Sequence, residues 1–182
     1  LTRRIRDKGA PTGIVAHDPH GRFDLAALRA EAADWPGLEG MDLAKEVSCT
    51  QTYRWDQSRW AWDQGFGTLS APKRKVVAID FGAKHNILRC LASLDCAVTV
   101  VPATATAEDV MRHEPDGIFL ANGPGDPAAT GTYAVPVIQE LMKTGKPMFG
   151  ICLGHQLMAL AVGGKTRKMA IGHRGANHPV KD

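Results

Sequence analysis

The stretch VVAIDFGAKHNILRCLASLDCAVTVV, Val76 to Val101, decides the fold. Val76 to Asp80 is a short, β-branched apolar run, and the spacing predicts a strand there. Phe81-Gly82-Ala83-Lys84 turns the chain, and Ile87, Leu88, Leu91 and Leu94 then recur at helical spacing over Asn86 to Asp95. Ala97 to Val101 reads as a second strand, so the unit is strand, turn, helix, strand. Working outward, Thr106 is placed to cap a short helix carrying Glu108 and Asp109 in its first turn. Gly117 to Ala121 predicts a third strand, and NGPGDP (Asn122 to Pro127) a loop. A helix is expected from about Tyr133 to Lys143, with Pro136 tolerated near its start because first-turn amides lack helical partners. Pro147 to Ile151 predicts a fourth strand, and Leu153 to Val162 a helix closed by Gly163-Gly164. Strands alternating with helices imply an α/β fold with a doubly wound parallel sheet. Ligands of such sheets sit at the carboxyl ends of the strands, here FGAK, PATATA, NGPGDP and CLGHQ.

The front of the chain has a different texture. All four tryptophans, Trp35, Trp55, Trp60 and Trp62, lie ahead of residue 72. A basic helical turn is expected at Thr2 to Lys8, and a helix capped by Asp24 over Leu25 to Ala33. Alternation of Tyr53, Trp55 and then Trp60, Trp62 with polar residues predicts a strand pair over Thr52 to Trp62, and Gly65 to Lys75 reads as a linker. The expected division is therefore 1–71, the end of a separate N-terminal domain plus linker, and 72–182, the α/β domain. At 182 residues there is room for one full domain and a smaller piece.

Composition narrows the class. Hydrophobic residues at 44% and charged residues at 23% describe a globular chain rather than a disordered one. A net charge of +3 argues neither for nucleic acid nor for a membrane surface. No apolar run approaches the roughly 18 to 20 residues of a membrane span, and the start, LTRRIRDKGAP, lacks the apolar region of a secretory signal. Cys49, Cys90, Cys96 and Cys152 match neither a zinc pattern nor a disulfide framework, and they read as reduced thiols of a cytoplasmic protein.

Gly150-Ile151-Cys152-Leu153-Gly154 has the form that places a nucleophile on a sharp strand-to-helix turn. Unpaired amides and positive partial charge at a helix start favour thiolate. The Leu153 amide would face any carbonyl oxygen that Cys152 attacks, giving half of an oxyanion hole. The competing reading is a buried cysteine between two packing glycines. NGPGDP, at a neighbouring strand end, exposes the amides of Gly123 and Gly125, which could supply the other donor, or else it is a surface turn. Other candidates fall away. Gly164-Lys165-Thr166 lacks the upstream glycine and strand of a phosphate loop. His173 and His178 have no partner ligands at metal spacing, and no metal is expected. His155, at i+3 from Cys152, points along the helix flank and is read as packing or hydrogen bonding. The tryptophans interleaved with Arg54 and Arg59 are balanced by Asp56 and Asp63, which favours core or interface packing over a stacking surface.

GICLGHQ with upstream NGPGDP resembles the class I glutamine amidotransferases. DFGAKHNILR, DGIFLANGPGDP, FGICLGHQLMALA and GHRGANHPVKD together resemble the family of small, glutamine-hydrolysing subunits of carbamoyl phosphate synthetase, and TRRIRDKGAP and LEGMDLAKEVS fit it at the front. The resemblance implies a flavodoxin-type fold, Cys152 as the nucleophile that forms a glutamyl thioester, and an oxyanion held by the amides of Leu153 and of Gly123 or Gly125. It also implies that Gln156 helps to hold L-glutamine. Ammonia would pass to a large subunit, where ATP and Mg serve the synthesis of carbamoyl phosphate; no cofactor is expected on this chain.

In that family the base histidine and its orienting glutamate form a His-x-Glu pair downstream of the HPVKD phrase, and residues 1–182 contain no such pair. Starting at Leu1, the chain reads as a fragment that by itself hydrolyses glutamine very poorly. Two alternatives stay open: another amidotransferase or thiol hydrolase of the same fold, and a non-catalytic module that binds a partner.

Overall fold

Alternate residues of one strand feed two different cores, and this sets the layering. In the computed structural model, which describes residues 2–9 and 11–169, strand β4 (Arg74–Asp80) sends Val77 and Ile79 to one face and Ala78 to the other, all buried. β6 (Gly117–Leu120) does the same with Ile118 and Leu120 against Phe119. A strand whose neighbours lie on both sides and whose two faces are both covered must be apolar throughout, which explains the unbroken VVAI and GIFL runs.

The central sheet has the order β1-β5-β4-β6-β7, with β5 spanning Cys96–Pro102, β7 Met148–Gly150 and β1 Tyr53–Trp55. β4 pairs in parallel with β5 and β6, and β6 with β7; only β1, on β5, is antiparallel. Helix α4 (His85–Ala92) lays Leu88 on the Phe119 face. Helices α5 (Ala107–Met111), α6 (Pro127–Lys143) and α7 (Leu153–Ala161) cover the other face with Val110, Ile138, Leu141, Leu153 and Leu157. The sheet is therefore covered on both faces, as the alternation of strands and helices predicts.

Local signals account for most of the boundaries. Thr106 caps α5 through a reciprocal box with Asp109, whose side chain accepts from the Thr106 amide at 3.0 Å and hydroxyl at 2.8 Å. Those bonds hold the Asp109 carboxyl below its ordinary range. α7 closes as expected: Gly163 takes φ +88°, its amide donates to Leu160 O and the Gly164 amide donates to Ala159 O, a Schellman arrangement.

Three expectations are corrected. α6 begins at Pro127, not near Tyr133, because Asp126 accepts from the Ala128 amide and Pro127 occupies the first helical position. Pro136 consequently lies in the helix interior, exposed to solvent, where it removes a backbone donor. The tryptophan-bearing strands do not pair with each other: β1 joins the main sheet, and β2 (Gln57–Ala61) pairs with β3 (Gly65–Thr68), which lies inside the stretch read as a linker. Trp55 packs at 4.8 Å from the His85 ring, whereas Trp60 and Trp62 are 52% and 77% exposed and are not core residues.

The described residues divide into two compact units, Gly40–Thr166 with both sheets, and a second formed by the described residues on either side of it. The second contains α1 (Thr2–Lys8) and α2 (Leu25–Asp34), the latter capped by Asp24 and without a buried residue. The expected division at residue 72 follows composition; Gly40–Thr166 is continuous across it because β1 adds to the sheet edge. No described helix is long and apolar enough to cross a membrane.

Candidate active site

Two glycines make the turn at the end of β7 sterically possible. A Cβ on Gly150 would lie 2.6 Å from the carbonyl carbon of Gly154, and one on Gly154 would lie 2.2 Å from the carbonyl oxygen of Leu120. Both clashes are with backbone, which cannot swing aside. Between these glycines Cys152 adopts φ 54° and ψ −111°, a conformation that L residues rarely take, and serves as the N-cap of α7 without side-chain capping. Such strain persists only where the surrounding packing over-determines the conformation, as the two glycine contacts do here. The thiol is exposed, so the reading of Cys152 as a buried packing residue is not what the fold displays.

The other components gather around this turn. Leu153 is buried at the first position of α7. Its amide, and those of Gly123 and Gly125, donate to no other group among the described residues, while the next amide, Gly154, is bonded to Ala121 O and Ile151 O. The side of Gly123 where a Cβ would sit faces Phe81 O and, at 2.8 Å, the Leu153 side chain, so the oxyanion candidates Gly123 and Leu153 are brought together. Gly125, at φ +96°, faces Met41 O and Leu43 N instead. Gln156 is exposed one turn beyond Cys152, on the same helix face, and its amide donates to Cys152 O at 3.0 Å. His155 is exposed beside it. His173 and His178 lie outside the described residues. Among the described residues no cluster of His, Cys, Asp and Glu has the arrangement of a metal site.

The loop itself is fastened at both ends. The Asn122 side chain accepts from the Lys84 amide at 3.1 Å and donates to Gly82 O at 2.9 Å. Asp126 donates its amide to Met41 O at 2.8 Å and accepts from the Gly40 amide at 2.8 Å. Beside Pro124 opens a cavity of about 430 Å³ lined by Ser48, Cys49, Tyr53, Asp80 and His85. Asp80, 5% exposed, accepts from the amides of Cys49, Gly82 and Ala83 at 2.7 to 2.9 Å. Burial, and then the Asp80 carboxylate, push the Cys49 thiol up to about 11 and raise the Tyr53 phenol. Cys49 is therefore a neutral thiol at physiological pH.

Sequence reasoning did not identify the segment from Gly40 to Cys49 as part of the site. Its phrase LEGMDLAKEVS shows no nucleophile and no glycine loop, and its polar residues, Glu39, Asp42, Lys45, Glu46 and Ser48, are scattered among apolar ones in no pattern that marks a site.

Residues 77–182, more than half of the chain, match the family model described as glutamine amidotransferase class-I. The chain belongs to the class-I glutamine amidotransferase family. The match covers the elbow, the NGPGDP loop and the strands that position them. Relatives of this amidotransferase chain match along its entire length. It is 67% identical to a carbamoyl phosphate synthase small chain of Ruegeria pomeroyi, 61% to that of Caulobacter vibrioides and 60% to that of Bradyrhizobium diazoefficiens. The alignments cover 100% of this chain and 47%, 47% and 46% of the respective relatives. The chain thus spans about half the length of the curated relatives it matches.

Proposed function

We propose that this chain carries the nucleophile and oxyanion half of the glutaminase site of a carbamoyl phosphate synthase small subunit. The observation that carries the reading is the exposed Cys152 at φ 54°, held between two glycines whose Cβ atoms would strike backbone, with the Leu153 amide next to it donating to no group among the described residues. In the proposed reaction the Cys152 sulfur attacks the side-chain carbonyl carbon of L-glutamine. The thiol proton passes to the amide nitrogen, the C–N bond breaks and ammonia leaves. Water then cleaves the thioester, which releases glutamate and restores the thiol. Amides of Leu153 and of Gly123 or Gly125 hold the oxyanion, and Gln156 contacts the substrate.

Ammonia passes to a large partner subunit, which uses ATP and Mg to make carbamoyl phosphate for arginine and pyrimidine synthesis in the cytoplasm. Residues 72–182 are assigned to the amidotransferase domain and 1–71 to the end of a preceding domain, of which the part from Gly40 onward packs in one compact unit with the amidotransferase sheet. Since residues 1–182 hold no His-x-Glu pair, a polypeptide of these residues alone hydrolyses glutamine very poorly for want of the base.

The test is a glutamine-analogue electrophile applied to the full-length subunit, followed by peptide mass mapping. Addition to Cys152, lost in Cys152→Ser, is expected; addition elsewhere with Cys152 untouched would overturn the assignment. Carbamoyl phosphate formed from glutamine after mixing with a large subunit checks the partner.

A further inference from the structure

The segment Gly40 to Cys49 crosses the carboxyl ends of three strands, and each crossing is pinned. Cys49 donates its amide to Asp80 at the end of β4, at 2.8 Å. Ser48 Oγ accepts from the Ala103 amide just beyond β5, also at 2.8 Å. Gly40 and Met41 bond to Asp126 in the loop after β6, each at 2.8 Å. Between these points Asp42 reaches α6, where its Oδ1 accepts from the hydroxyls of Thr130 at 3.0 Å and Tyr133 at 3.2 Å. Lys45 completes the junction, with Nζ 3.4 Å from Asp42 Oδ2 and 4.1 Å from the centre of the Tyr133 ring. Thr130 is fully buried, and burial together with the Asp42 carboxylate raises the Tyr133 phenol. The strap lies entirely ahead of the family match, which begins at residue 77.

This arrangement bears on one wall of the proposed oxyanion hole. Gly125 is wedged against the strap, since a Cβ there would lie 2.7 Å from Met41 O and 2.9 Å from Leu43 N. The peptide of Gly125 and Asp126 therefore rests directly on Met41 to Leu43, to which the Asp126 amide also bonds. We propose that Asp42 is a positioning residue: by fixing the strap to Thr130 and Tyr133 it holds the Gly123 to Asp126 loop, and so the loop's amides, at the distance the oxyanion needs. The inference rests on the reading of Cys152 as nucleophile. Asp42 itself touches no substrate.

Displacement of one wall of an oxyanion hole acts on the tetrahedral step alone. Direct alkylation of the thiol by iodoacetamide develops no oxyanion, so it is the control reaction. In the full-length subunit, Asp42→Ala is expected to lower kcat for glutamine hydrolysis by about tenfold, less than the hundredfold or more lost with a whole donor. KM and the rate of Cys152 alkylation should stay within about twofold, a split that follows from loss of transition-state binding only. Asp42→Asn, which keeps an acceptor oxygen for Thr130 and Tyr133, should recover most of the activity. Tyr133→Phe, which keeps the ring under Lys45, should reproduce a smaller loss and serves where Asp42→Ala fails to fold. Unchanged hydrolysis in Asp42→Ala or, where that variant does not fold, in Tyr133→Phe overturns the proposal. A parallel fall in alkylation, or failure of Asp42→Asn to recover activity, overturns it as well. Absence of glutamine hydrolysis in the unmodified full-length subunit would instead overturn the functional reading beneath it.

Discussion

Gly154→Ala adds a single methyl group where the backbone leaves no room for it. Its Cβ would stand 2.2 Å from Leu120 O, 2.6 Å from Leu120 C and 2.8 Å from Leu120 Cβ, all in β6, an interior strand of the main sheet. A carbon needs about 3.3 Å from a carbonyl oxygen, so the start of α7 must retreat from the sheet by about 1 Å. Alanine favours a helix over glycine by about 1 kcal/mol, which offsets part of the cost. Overpacking of a rigid core costs about 1–3 kcal/mol and more where backbone is the obstacle. A net destabilisation of about 2 kcal/mol is expected, a fall in Tm of about 6–10 °C for a unit of this size. The chemistry should suffer more than the stability, because Cys152 and Leu153 move with the helix and a 1 Å misplacement costs about a hundredfold in rate. Thermal unfolding together with glutamine hydrolysis by the full-length subunit measures both. A variant with Tm within 2 °C of the parent, or with normal hydrolysis despite the lower Tm, would refute the argument that close helix–strand approach builds the elbow.

Further outcomes follow from other contacts. Pro136→Ala should stabilise the chain by about 1–3 kcal/mol in urea unfolding, because the exposed position sits inside α6 and regains a backbone donor; an unchanged midpoint would show the proline to be accommodated without cost. Asp80→Ala strips the acceptor from three amides and should cost at least about 3 kcal/mol, checked by the same unfolding curve. Cys49, with its thiol pushed up by burial and by Asp80 to about 11, should react with iodoacetamide at pH 8 about a hundredfold more slowly than an ordinary thiol. Because the folded value is the higher one, its contribution to stability is complete below pH 9 and is lost as pH rises towards 11, which unfolding measured across that window would show.

Where the chain's information is local, the sequence could be read almost to the residue. The capping box of α5 and the Gly163-Gly164 stop of α7 depend on neighbours within a few positions. The Gly150, Cys152, Gly154 spacing was equally readable, since the fold places small residues where a strand hands over to a helix. α6 shows how one local signal can mask another. Pro136 reads as tolerable near a helix start, yet Asp126-Pro127 supply the cap and first position nine residues earlier. The proline is carried in the interior because the buried residues Thr130, Gly131, Ala134, Ile138 and Leu141 lie on both sides of it.

The strap and the pairing of β1 were opaque for the opposite reason, namely that their partners are remote. Nothing near Trp55 says that its strand will pair with Val98 to Val100 rather than with the strand of Trp60, because alternation states that a strand forms and is silent on its neighbour. Asp42 reads as one more surface carboxylate until Thr130 and Tyr133 are brought to it from 88 and 91 residues away. A motif such as G-x-C-x-G encodes the atom that reacts, since its demand on the backbone is local. The rigidity that makes the atom useful is supplied by residues such as Asp42, Asp80 and Asp126, each of which accepts hydrogen bonds from distant segments and has no pattern of its own to announce it. Removing such an acceptor should accordingly disturb geometry before it disturbs the thiol, and comparison of hydrolysis with alkylation separates the two.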